Sequence, residues 1–73
     1  MDDKEKTILK TINKLGVATE LEVQAAALLQ TDKLKAALDK LESDGYIKRE
    51  FGFLSSINKG DGLKITEKGV KSL

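Results

Sequence analysis

Seventy-three residues with 40% hydrophobic content fit one small domain, residues 1–73, at a size where only roughly 60% of the unfolded chain's surface can be buried. The chain has no cysteine and no histidine, which removes disulfides, thiolate metal sites and the commonest general base. Thirteen Lys plus Arg against twelve Asp plus Glu leave a formal net charge of +1, so attraction to a polyanion has to come from one local face rather than from the whole molecule.

The opening residues are polar, and from Lys6 onward Ile8, Leu9, Ile12 and Leu15 recur on one helical face, predicting a first helix over about Lys4 to Leu15. Asp2, Asp3 and Glu5 suit the positive end of its dipole, Lys10 and Lys14 suit the negative end, and Gly16 stops it. Val17 and Ala18 form an extended link long enough for a single bridge to a sheet edge. The run Thr19-Glu20-Leu21-Glu22 is a capping box, in which hydroxyl and carboxylate each satisfy a free amide of a helix start. A second helix then runs to about Leu29, with Leu21, Ala25 and Leu28 expected inward.

Gln30 and Thr31 make a tight turn into a third helix, which Thr31 is expected to cap through its hydroxyl. Leu34, Leu38 and Leu41 form its apolar stripe, and Asp32, Lys33, Lys35, Ala36, Asp39 and Lys40 are left on a polar face with no bulky side chain near the helix start. Gly45 supplies the left-handed residue that ends the helix, and Tyr46 and Ile47 begin a strand. Ile47, Phe51 and Phe53 share one strand face, with Gly52 a candidate bend or bulge. Residues 58–62, NKGDG, are dense in turn formers and read as a hairpin tip. Leu63 and Ile65 face inward on the returning strand. Thr66 starts a last helical turn, from which Val70 and Leu73 fold back onto the core.

The order is helix, short strand, helix, tight turn, helix, strand, glycine-rich tip, strand and short tail. Two helices joined so tightly make a helix-turn-helix, and the following hairpin is its wing. The fold class is therefore α+β, a winged helix-turn-helix with a three-helix core and a small antiparallel wing. No apolar run approaches the ~20 residues needed to span a bilayer, and the chain is expected to be soluble and cytoplasmic.

At two linked places the sequence resembles the winged helix-turn-helix family, in particular small bacterial and archaeal regulators of the MarR-like and PadR-like kind. One is residues 37–47, ALDKLESDGYI; the other is residues 63–69, LKITEKG, after the wing. The resemblance implies double-stranded DNA as partner, with the third helix in the major groove and the wing on neighbouring phosphates or the minor groove. Carried over by position, it implies that Thr31, Lys33, Lys35, Ala36 and Lys40 face the groove and that Asn58 and Lys59 sit at the wing tip. Ser55, Ser56 and Asn58 are of the right type for neutral phosphate contacts. The third helix has no arginine or asparagine for bidentate base contacts, so discrimination would rest on Lys33, Gln30 or DNA shape.

The same residues carry an alternative. Phe51, Phe53, Leu54 and Ile57 give the wing four apolar side chains, which an alternating strand cannot turn inward together unless a bulge at Gly52 folds the wing over the core. An exposed remainder points to a homodimer, suited to a palindromic site, or to a protein partner, making the chain a winged-helix interaction module without DNA binding. Catalysis has little to stand on. The acidic residues are scattered over predicted exposed faces, and Gly60-Asp61-Gly62 lies between strands with no helix behind it, so no enzyme activity, cofactor or metal is expected.

Overall fold

The structure is a computed structural model that describes residues 1–50 and 62–73. Its elements are α1 (Asp3–Leu15), β1 (Val17–Ala18), α2 (Glu20–Ala27), α3 (Thr31–Ser43), β2 (Ile47–Glu50), β3 (Gly62–Ile65) and α4 (Glu67–Lys71). The strands make one antiparallel sheet in the order β1-β3-β2. Val17 and Ala18 pair with Lys64 and Leu63, as the two-residue edge bridge requires, while Ile47 to Glu50 pair with Ile65 back to Gly62 and form the stem of the wing. This is the expected winged helix-turn-helix. The wing residues Phe51, Gly52, Phe53, Leu54, Ser55, Ser56, Ile57, Asn58 and Lys59 lie outside the described residues, as do Gly60 and Asp61 of the glycine-rich tip.

Ile8, Leu9 and Ile12 of α1, Leu34, Leu38 and Leu41 of α3, and Ile47 and Leu63 of the sheet bury one apolar cluster, with Ala18, Val23 and Ala27 filling its narrower gaps. Each fully buried aliphatic side chain contributes about 1.5–3 kcal/mol. α1 begins with a second capping box. Asp2 accepts from the Glu5 amide at 2.8 Å, and the Glu5 carboxylate returns to the Asp2 amide at 3.1 Å. The Asp2-x-x-Glu5 spacing carries this signal openly in the sequence. Gly16 leaves α1 at φ +81, and Gly45 leaves α3 at φ +85. Behind Gly45 the Tyr46 amide donates to the Leu41 carbonyl and the Gly45 amide to the Glu42 carbonyl, closing the helix end.

Four expectations are corrected. Leu21 and Leu28 of the second helix are 76% and 82% exposed and Ala25 is exposed, whereas Val23 and Ala27 are buried. A helix of only eight residues offers two competing stripes, and α1 packs on the one whose small Ala27 permits close approach. Leu28 then takes the left-handed conformation at φ 55 that a glycine usually supplies, which turns it outward and delivers Leu29 to the core edge.

Thr31 does not cap α3. Because α2 ends early, the cap is Gln30, without a side-chain bond, and Thr31 lies inside the first turn. Leu15 is half exposed at the end of α1. Val70 and Leu73 are likewise half exposed, because the inward position of α4 belongs to Gly69, where a Cβ would run into the Tyr46 carbonyl and the Ile65 side chain. No helix among the described residues is long and apolar enough to cross a membrane.

Candidate functional site

α3 is positioned from both ends. At its start, the Gln24 side-chain amide donates to the Leu29 carbonyl at 3.1 Å and to the Thr31 hydroxyl at 3.2 Å, bracing the turn that carries Gln30 and Thr31. At its end, Lys68 of α4 donates to the Asp44 carbonyl at 2.7 Å while its ammonium lies 4.8 Å from the centre of the Tyr46 ring. The Thr66 hydroxyl donates to the Gly45 carbonyl at 2.6 Å and accepts from the Gly69 amide at 3.1 Å. The two sequence segments around Gly45 and Gly69 therefore touch, and together they set the angle between α3 and the wing stem.

With Leu34, Leu38 and Leu41 buried, the helical repeat puts Asp32, Ala36, Asp39 and Ser43 on the row pointing straight out, and all four are exposed. Lys33 and Lys40 flank that row on one side and Lys35 on the other. The structure thus brings Gln30, Thr31, Lys33, Lys35, Ala36 and Lys40 onto one exposed surface around α3, but it divides the lysines between two edges. Lys33 and Lys35 have no ion pair among the described residues. Lys40 turns toward the buried Glu5 carboxylate, with 3.7 Å between charged atoms, and so spends part of its charge inside the protein. Between Lys33 and Lys40 lies a recess of about 270 Å³, lined by Leu29, Ala36 and Ala37 and by charges of both signs, Lys4, Lys33 and Lys40 with Asp2 and Glu5. Ser55, Ser56, Asn58 and Lys59, the expected wing contacts, lie outside the described residues.

Arg49 stands four residues past Gly45, next to Glu50 and near Glu42 and Asp44 in the chain. In the structure its guanidinium reaches back from β2 to α3, donating to Asp39 Oδ1 at 2.9 Å, with Nε 3.6 Å from the Glu42 carboxylate. Nε is buried and makes no hydrogen bond among the described residues. Asp39 is thereby neutralised in place rather than left as a free anion on the outward row. Gln24 is the other residue that sequence reasoning missed. Nothing in its neighbourhood announces that a side chain on α2 spans the turn, because the bond exists only once α2 stops at Ala27.

No family sequence model and no curated protein sequence matches the chain. Solved structures do match it closely in fold. A variant of MarR from E. coli complexed with operator DNA superposes with a TM-score of 0.83 at 22% identity, covering 97% of this chain and 49% of that one. ZitR of Lactococcus lactis, a zinc-responsive MarR family member, gives 0.79 at 19% identity, covering 97% and 47%. BpsR of Bordetella bronchiseptica gives 0.80 at 11% identity, covering 99% and 49%. The chain spans about half the length of each of these structures, and over that half it has the winged helix-turn-helix fold of MarR-type transcriptional regulators.

Proposed function

We propose that the chain binds double-stranded DNA and acts as a small, cytoplasmic transcriptional regulator. α3 enters the major groove and the wing, through Ser55, Ser56, Asn58 and Lys59, meets the flanking backbone. The observation that carries this reading is the exposed surface of α3, on the fold of a protein crystallised with operator DNA, with Lys33 and Lys35 on its two edges and unpaired among the described residues. Two lysines set on opposite sides of a narrow polar row match the two phosphate walls of a groove better than a solvated face requires. Two-fold related copies would place two such helices on a palindromic site.

The test is fluorescence anisotropy of a labelled mixed-sequence duplex from low to moderate salt. Binding that weakens linearly on a log–log salt plot supports the proposal, and no binding at the lowest salt sinks it. A second reading, a winged-helix module for protein partners, is favoured by Leu21 and Leu28, which put apolar surface on the outside of α2. Association that is insensitive to salt and lost in Leu21→Ser plus Leu28→Ser would favour that reading instead.

A further inference from the structure

Resting on the DNA-binding reading, we infer that Asp39, held by Arg49, reads cytosine in the major groove. Asp39 stands in the middle of the outward row of α3 and is 69% exposed at its side chain. Its neighbours on that row are Ala36 and Ser43, small enough to let base edges approach. A free aspartate there would oppose docking, since it faces the phosphate walls and many rotamers are open to it. Arg49 changes both conditions. One guanidinium nitrogen fixes Oδ1 at 2.9 Å, the arginine stem is four-fifths buried, and Oδ2 has no hydrogen-bond partner among the described residues. The pair presents to the groove one oriented acceptor with its charge largely offset.

The base code decides what such an acceptor selects. Cytosine offers its N4 amino donor in the major groove, whereas guanine offers N7 and O6 and thymine O4, all acceptors that the carboxylate repels. Adenine has a donor at N6 beside an acceptor at N7 and ranks between them. Attraction to one base and repulsion of two others act in the same direction, giving an expected preference on the order of tenfold at one base position. Arg49 is a positioning residue in this scheme. Its donors point back to Asp39 and Glu42, and it reaches the base only through the oxygen it holds.

The experiment is selection of bound duplexes from a randomised pool, read by sequencing, for the unaltered chain, Asp39→Asn, Arg49→Gln and Arg49→Lys, with each variant's helical content checked by circular dichroism. The unaltered chain should enrich cytosine at one position of the site. Asp39→Asn should move that position toward adenine, whose N6 and N7 an amide can bridge, while binding to the unselected pool holds or tightens because a negative charge is lost. Arg49→Gln should flatten the preference and Arg49→Lys should restore part of it. Enrichment that is the same in the unaltered chain and Asp39→Asn overturns the inference and leaves DNA binding intact. No retention of any duplex by the unaltered chain overturns both.

Discussion

Lys4, on the first turn of α1, donates from its ammonium to the Ala27 carbonyl oxygen at 2.7 Å, closing the end of a helix twenty-three positions further on. α2 has no basic residue in its own last turn, so a cation from another helix meets its orphan carbonyl and its negative dipole end. Lys4→Met keeps the stem and removes the charge. It should cost about 1 kcal/mol, seen as a lower urea midpoint with an unchanged slope. An unchanged midpoint would mean that water serves Ala27 equally well.

Leu28 gives the opposite expectation. Its left-handed backbone at φ 55 costs roughly 1–2 kcal/mol, and its side chain is 82% exposed and returns little in packing. Leu28→Gly relieves the strain but gives the unfolded chain more entropy to lose on folding, for a net gain of about 0.5–1 kcal/mol in thermal or urea unfolding. Destabilisation by this change would show that the leucine is covered by something in solution.

Gly69 is required by space rather than by a positive φ. A Cβ there would overlap the Tyr46 carbonyl oxygen, which is backbone, and the Ile65 side chain. Gly69→Ala should therefore cost about 1–3 kcal/mol, although alanine is the better helix former. Calorimetry showing an unchanged or raised melting temperature would contradict this packing.

Lys33→Ala with Lys35→Ala should weaken DNA binding evenly across sequences and lower the salt slope by about 2, roughly 0.9 for each phosphate left without its lysine. Lys40→Ala should change the slope less, because Lys40 is partly engaged by Glu5. Equal slopes for the double variant and the unaltered chain would remove α3 from the interface.

The fold was legible because its strongest signals are local. Thr19 and Glu22 form their capping box with the N-cap hydroxyl and the N3 carboxylate three residues apart, and Leu34, Leu38 and Leu41 repeat at helical spacing wherever the helix is placed. The tandem appearance of the Gly45 and Gly69 segments was also informative, since Thr66 and Tyr46 bond across them. The site was legible only in part. Lys33 and Lys40 look equivalent in sequence, and only the nearby Glu5 carboxylate separates them.

By itself the sequence determined where α1 and α3 stop and where α2 starts, that the chain alternates helix and strand in the winged-helix order, and which stripe of α3 is buried. These depend on capping chemistry and periodicity within a few residues. Tertiary structure alone decided which of two stripes α2 buries, that Leu28 turns outward, that Gly69 rather than Val70 faces inward on α4, and that Arg49 holds Asp39. Each of those outcomes is a competition between surfaces distant in the chain. It is settled by how closely α1, α3 and the sheet approach one another, which no local spacing records.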